Sequence, residues 1–354
     1  MAATNGTTDQ IPVIDLSGPE GTVAKELVNA ATTCGFVYIK SLGKDIPLES
    51  IDGTFALSKK FFSSPIEEKE PFKIKEDNRG WVAFHAETLD PKTMGDFKEA
   101  MNLGGFLDRK AQQPLPPVFK DHEPELYAFQ RYCQNLMNKI LDLFAIGLEV
   151  SSPTEGSKWF SNRHGPEPTP CTLRLLHYPP LPPNTELQPK VDIRAGAHSD
   201  YGSITLLFQR PGQPGLEILP PSRSSSSNTE NWTPVPVFPP GTESDPSPPI
   251  LVNIGDLLSH WTNNLFKSTV HRVVFPGGGK EAGKDRYSIA YFGHPIGDTV
   301  LEPVPSEKVK ALAGKGGSDV QAMTAHEHLL SRLKATYLGM YKDEGKGTAE
   351  VGAT

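Results

Sequence analysis

A mainly β core with flanking helices, an α+β chain, is the fold class that this 354-residue sequence predicts. Three observations carry that expectation. Helical periodicities dominate the first 150 residues. Past Pro170 the texture changes to short runs of Leu, Val, Ile and aromatic residues between Pro/Gly turns, and many short strands at regular spacing point to an antiparallel sandwich or barrel. A helical pattern returns over 318–341.

Taken in order, residues 1–10 are polar and without period. IPVIDL at 11–16 reads as a short strand. From Glu20 to Cys34 the apolar residues Val23, Leu27, Ala30 and Ala31 share one helical face, Gly35 ends the helix, and FVYIK at 36–40 follows as a strand. Ile46 to Phe62 reads as a second helix, stopped before Pro65. Arg79 to Leu103 mixes short apolar pieces with turns, and a Pro-rich linker follows at 114–117. From Glu123 to Leu148, Leu126, Phe129, Cys133, Leu136, Ile140 and Phe144 recur at three and four, which marks a long amphipathic helix whose stripe belongs to the core.

The strand-like runs are then TLRLLHY, SITLLFQ, LEILP, WTPVPV, ILVNIG, VHRVVF and RYSIAYF. The Ser-rich stretch 220–232 and the Pro-rich stretch 238–249 read as exposed, mobile hairpin tips. The expected organisation is an N-terminal region of helices and strands (1–120), a long helix and connector (121–165), a β core (166–300), and a C-terminal helix and tail (301–354).

Composition narrows the function classes. Hydrophobic residues at 37% and charged residues at 22% suit a globular chain rather than a disordered one. A net charge of −7 with no Lys/Arg-rich run argues against general nucleic-acid binding. Cys34, Cys133 and Cys171 are widely spaced, with no CxxC pair, which suits a reducing interior. No signal peptide is visible, and no apolar run reaches the roughly 18 residues of a membrane span, so the expected setting is cytoplasmic, away from membranes. Oligomeric state is not legible.

The decisive local feature is AHSDYG at 197–202. In a strand, residues i and i+2 face the same way, so His198 and Asp200 can present an imidazole and a carboxylate to one point. His271, in the later run STVHRVVF, can add a second imidazole. Two histidines and one carboxylate leave three positions open on an octahedral ion, the arrangement of oxygen-activating iron(II). An HxD pair alone is weak evidence, because a packing histidine beside an unrelated aspartate is common. The apolar β setting and the third candidate ligand strengthen it. In DRYSIAYF, Arg286 and Ser288 also share one strand face. A guanidinium fork beside a hydroxyl matches a carboxylate, so a dicarboxylate could bridge from metal to Arg286, and a structural salt bridge is the plainer alternative.

Together, HxD…H…RxS resembles the signature of the 2-oxoglutarate/Fe(II)-dependent dioxygenase superfamily. More narrowly it resembles the isopenicillin N synthase-like branch, which includes anthocyanidin synthase and ACC oxidase. The resemblance covers roughly residues 11 to 296: IPVIDL and GFVYIK, then GDFKEAMNLG, LRLLHYPP, GDLLSHWTNNLFKSTVHRV and RYSIAYF, in that order. It implies a double-stranded β-helix, or jelly roll, with helices outside. It implies that His198, Asp200 and His271 bind iron, and that 2-oxoglutarate chelates the iron through its 1-carboxylate and keto oxygen. Arg286 and Ser288 would then bind its 5-carboxylate, and Tyr178 matches a tyrosine that helps hold that group. The implied activity consumes O2 and oxidises a small organic molecule by hydroxylation, desaturation or cyclisation, in specialised metabolism, with release of succinate and CO2.

The sequence departs from the branch in two long intervals, Asp200 to His271 and His271 to Arg286, and in Leu176, where the branch often has Asn. Candidate substrate contacts are Arg79, Arg174, Leu206, Phe208 and Phe292. His85, His122, His164, His177, His260 and His294 have no partner at useful spacing, and His326 and His328 diverge on a helix. GGGK at 277–280 lacks phosphate-loop spacing, and no GxSxG elbow occurs. Two other functions stay open: an isopenicillin N synthase-type oxidase with the same iron site but no 2-oxoglutarate, and a jelly-roll binding protein without catalysis.

Overall fold

The periods read from the sequence settle into two sheets and a helical layer in a computed structural model of the chain, which describes residues 10–89, 95–181, 193–221, 231–276, 284–312 and 323–336. The N-terminal part runs β1 (Val13–Ile14), α1 (Glu20–Thr33), β2 (Phe36–Ile39), α2 (Leu48–Phe62), α3 (Ile66–Lys69), β3 (Gly80–Val82) and β4 (Glu99–Leu103). A small hairpin, β5 (Phe106–Leu107) and β6 (Lys110–Ala111), leads to α4 (Pro117–Lys120) and the long α5 (Glu123–Gly147). The remainder is β7 (Thr172–Tyr178), β8 (Ala195–His198), β9 (Ile204–Gln209), β10 (Leu216–Ile218), β11 (Thr233–Pro234), β12 (Ile250–Ile254), α6 (Asp256–Trp261), β13 (His271–Val273), β14 (Arg286–Phe292), α7 (Glu307–Lys310) and α8 (Ala325–Thr336).

Eight strands form the large sheet in the order β1-β2-β12-β9-β14-β7-β4-β3, antiparallel throughout except for β1 beside β2. Four form the small sheet, β11-β10-β13-β8. Phe36, Leu176 and Tyr178 of the large sheet meet Ala195, Leu216 and Val273 of the small one in a buried cluster between them. This is the sandwich of the double-stranded β-helix.

The other face of the large sheet is covered by helices, and the alternation of side chains decides which residues go where. On β7, Leu173 and Leu175 join the helical core, while Thr172, Arg174, Leu176 and Tyr178 face the space between the sheets. On β9, Ile204, Leu206 and Phe208 join the helical core, with the Phe208 ring 5.3 Å from Phe129 of α5. Thr205 and Leu207 face inward instead. The expectation that Leu206 and Phe208 line a substrate pocket is therefore corrected. Period two carries them to the far side of the sheet, where burial against α5 is worth more to a Phe ring than a place beside polar groups.

The long helix ends within a residue of the expected boundary. The segment 79–103, expected only as pieces and turns, supplies β3 and β4 at one edge of the large sheet, so the N-terminal region and the β core share one sheet. The stretch 238–249 is an exposed turn, with Pro240, Gly241, Glu243, Ser244 and Pro246 at the surface, and it is anchored by the buried Pro239, Thr242 and Pro249, the Thr242 hydroxyl donating to the Pro239 carbonyl at 2.8 Å. Residues 222–230, 277–283 and most of the expected helix 318–341 outside α8 lie beyond the described residues. Among the described residues, no helix is long and apolar enough to cross a membrane.

Two stability predictions follow from this packing. Phe208→Ala should lower unfolding free energy by about 3–5 kcal/mol in denaturant titration. His164 is fully buried, hydrogen bonded to the Phe160 carbonyl and the Ser203 hydroxyl at 2.8 Å each, and burial pulls its pKa from 6.5 down to about 4. Between those values the unfolded chain binds the extra proton and the folded chain does not. The His164 contribution to stability should be fully present above 6.5 and fall by about 3 kcal/mol as pH drops through 4; His198, His294 and His328 are lowered likewise and add to the slope, which His164→Gln should make shallower.

Candidate active site

His198 ends β8 and His271 begins β13, and the two are direct cross-strand partners with ring centroids 4.4 Å apart. Asp200 is not in the strand, as i, i+2 geometry would require, but two residues beyond its end. Hydrogen bonds aim it instead. Its Oδ2 accepts from Thr205 Oγ1 on β9 at 2.6 Å and from Asn253 Nδ2 on β12 at 2.7 Å. Its Oδ1 lies 3.9 Å from His198 Nε2 and 3.7 Å from His271 Nε2.

The donor set fits a single metal ion. One nitrogen or oxygen from each residue falls within 4.8 Å of the others. His198 Nδ1 donates to the Gly196 carbonyl at 2.7 Å and His271 Nδ1 to the Thr269 carbonyl at 3.1 Å. A carbonyl can only accept, so each Nδ1 carries the proton and each Nε2 keeps its lone pair for an ion. Two imidazoles and a carboxylate form the facial set expected of non-haem iron(II). Burial, followed by the neighbouring His271, pushes the His198 pKa down to about 3, so the ring is a neutral ligand at ordinary pH. Burial alone would raise the Asp200 carboxyl. The two histidines and the bonds from Asn253 and Thr205 outweigh it and hold the group ionised.

A cavity of about 130 Å³ runs from these ligands between the sheets. At one end stands Arg286, 1% exposed, with Nη1 3.2 Å from Ser288 Oγ and its guanidinium 4.8 Å from the Tyr178 ring centroid. Tyr178 is its cross-strand partner. Burial lowers the Arg286 pKa, and Tyr178 opposes the fall. Among the described residues no carboxylate pairs with this guanidinium, and its Nε has no hydrogen-bond partner. A buried cation in that state calls for an anion.

Of the expected substrate residues, Arg174 and Phe292 do line the cavity. Arg174 is held by Glu87 in a two-point fork at 3.2 and 2.6 Å. Arg79 does not line it. Its Nη1 donates to the Gln112 carbonyl at 3.0 Å, and its side chain packs against Gly104, because the neighbouring Asn78 takes the inward position on this turn. The histidines judged partnerless also have roles: His177 bonds both Glu99 and Asp285, and His294 lines the cavity. Sequence reasoning missed Glu87, Lys98 and Asn102, and also Leu329 and Leu333 of α8, all of which line the cavity. Period two in KEAMN places Lys98 and Asn102 on one face, a signal available once that segment is recognised as a strand. α8 is held over the cavity by Arg332, whose Nη2 lies 2.6 Å from Asp256 and 3.3 Å from the Ser199 hydroxyl.

Comparison with known proteins agrees with this geometry. Residues 169–295 match the 2OG-Fe(II) oxygenase superfamily, and residues 11–123 match the N-terminal region described as non-haem dioxygenase in morphine synthesis. A UPF0676 protein of Schizosaccharomyces pombe is 40% identical over 93% of both chains. The 2-oxoglutarate-dependent dioxygenase htyE of Aspergillus rugulosus is 29% identical over 79% of this chain and 84% of its own. Among solved structures, full-length Neurospora crassa T7H in complex with alpha-KG and thymine superposes with a TM-score of 0.73 at 28% identity, covering 95% of this chain and 99% of that one. The fold, the metal-ligand triad and these likenesses agree, and the chain belongs to the 2OG-Fe(II) oxygenase superfamily as an iron- and 2-oxoglutarate-dependent oxidoreductase.

Proposed function

We propose that His198, Asp200 and His271 hold the ferrous ion, that Arg286, Ser288 and Tyr178 receive the distal carboxylate of 2-oxoglutarate, and that the chain oxidises a compact organic molecule with release of succinate and CO2. The observation that carries the assignment of the 2-oxoglutarate end is the buried Arg286 guanidinium, which faces the cavity without a carboxylate of its own among the described residues. A carboxylate matches its fork, and the Ser288 hydroxyl beside it adds a donor.

Iron(II) and 2-oxoglutarate, once bound, supply the oxidising chemistry. The chain's part is orientation and shielding. Backbone carbonyls fix both imidazole tautomers, and Thr205 and Asn253 turn one carboxylate oxygen toward the ion. Leu207, Phe292, Leu329 and Leu333 give the cavity apolar walls that keep bulk water from the reacting centre. A compact organic substrate is supported by the cavity's size and by the similar T7H, which is known in complex with thymine. Hydroxylation, desaturation and cyclisation all remain within this reading, as does a place in specialised metabolism. Three cysteines without a disulfide support a reducing, cytoplasmic setting.

The direct test is a substrate screen in which succinate is measured alongside oxygen. Succinate should form in step with oxygen consumption, and oxygen consumption without succinate would remove 2-oxoglutarate from the scheme in favour of an oxidase that grips its substrate with Arg286. Changing a residue behind a metal ligand typically costs about 10–100-fold in metal affinity or activity, so His198→Ala should cost more than about 100-fold in both iron retention and turnover. Arg286→Leu should weaken 2-oxoglutarate binding by about thirty-fold or more, the equivalent of about 2–5 kcal/mol for one half of a buried charge pair, with iron affinity preserved in calorimetry.

A further inference from the structure

The cavity has a second polar wall, which iron and 2-oxoglutarate leave without a ligand. Along β7 the inward residues run Tyr178, Leu176, Arg174 and Thr172, and their partners on β14 are Arg286, Ser288, Ala290 and Phe292. Arg174 therefore lies two inward positions from Tyr178 and the Arg286 end, level with Asn102 of β4, its direct cross-strand partner. Phe292 pairs on its other side with Thr205, the residue that aims Asp200. This wall thus begins beside the metal ligands, on the side away from Arg286.

Its charges are balanced. Among the described residues it holds two cations and two carboxylates. Glu87 forks Arg174 and also lies 3.0 Å from Lys98, and Lys98 makes a second, close ion pair with Asp96. Burial alone would lower the Lys98 ammonium, but Glu87 and Asp96 reverse the effect and hold it charged. Unlike the Arg286 end, this wall does not call for an ionic ligand.

A hydrogen-bond acceptor on it is left over. Asn102 is 1% exposed. Its Nδ2 donates to the Asn78 carbonyl at 3.0 Å and lies 3.2 Å from the Asn78 side-chain oxygen. Both Asn78 and Asn102 line the cavity. Because a backbone carbonyl can only accept, the Asn102 amide cannot be turned round, and its Oδ1 must be the atom without a partner. Gln130, Asn138 and Gln209 carry buried acceptors in the same state, but among the described residues Asn102 combines an unpartnered side-chain carbonyl with a place on the cavity, where the donor of a bound molecule can meet it.

We propose that Asn102 is a specificity residue, and that the substrate is a compact, uncharged molecule presenting an amide-type N–H donor to its Oδ1. This rests on the reading of the iron and 2-oxoglutarate ends given above. A site built to bond an N–H discriminates against the analogue that lacks it, because the acceptor is then buried unpaired.

The test uses the whole chain loaded with zinc in place of iron, and with 2-oxoglutarate, under nitrogen. A set of five- and six-membered cyclic amides and imides, each beside its N-methyl counterpart, is titrated and followed by ligand-observed NMR. 2-Oxoglutarate affinity is measured in the same samples. The N–H members should bind about tenfold or more tightly than their N-methyl counterparts. Asn102→Leu should bring the two to parity with 2-oxoglutarate affinity unchanged. If 2-oxoglutarate binds but the N–H and N-methyl members bind alike, or neither binds, Asn102 is not the specificity residue. That comparison is made on the unaltered protein and does not depend on how the variant folds. If the N–H preference survives Asn102→Leu, another residue provides it. If 2-oxoglutarate itself fails to bind, the reading of the Arg286 end falls instead.

Discussion

The two sheets are joined at the point of chemistry by one carboxylate. Asp200 leaves the end of β8 in the small sheet and places Oδ2 against Thr205 and Asn253 of the large one. Those two hydrogen bonds offset the cost of burying the charge, fix the carboxylate's rotation and leave Oδ1 for the ion. The loop after β8 is pinned by a second contact of the same residue, since the Asp200 backbone carbonyl accepts from the Asp256 amide at 2.7 Å at the start of α6. A backbone shift that loosened Asp200 would therefore disturb both the metal and the register of one sheet over the other.

What could be read from the sequence follows from which features are local. Strand and helix periods depend on neighbouring residues, and α1, α2, α5 and most strands of the second half fall where those periods put them. His198, Asp200 and His271 were legible for a different reason: their residue types and their place in apolar runs restrict the chemistry. Leu206 and Phe208 were misplaced because a strand's composition does not say which of its two faces meets the helices. Arg79 was misplaced because adjacent residues on a turn diverge, and Asn78 took the inward position. β3 and β4 were hidden because EAMNL carries a charged and an amide residue whose partners are distant: Lys69, Trp81 and His177 bond Glu99, and Asn78 accepts from the Asn102 Nδ2. Long-range pairing of this kind leaves no period.

The cavity's electrostatics are divided. At the Arg286 end, a second buried arginine, Arg194, stacks 4.7 Å from the Phe275 ring and donates to the Lys284 carbonyl. Burial, followed by the repulsion of Arg286, lowers the Arg194 pKa to about 10. Cationic charge thus accumulates at the end proposed above for the distal carboxylate of 2-oxoglutarate. Beyond the metal ligands, Glu87 and Asp96 offset Lys98 and Arg174 ion for ion. On the two proposals made above, a charged co-substrate and a neutral substrate would be sorted to opposite ends by field, before any shape is read.

The wall supplied by α8 bears on the order in which the protein is made. Residues 198, 200 and 271 emerge from the ribosome before 325–336, so a nascent chain can assemble its ligand triad while Leu329 and Leu333 are still missing from the mouth. Docking of α8, through Arg332 on Asp256 and Ser199, adds those apolar walls. The helix that walls the chamber is thus made after the ligands it shields.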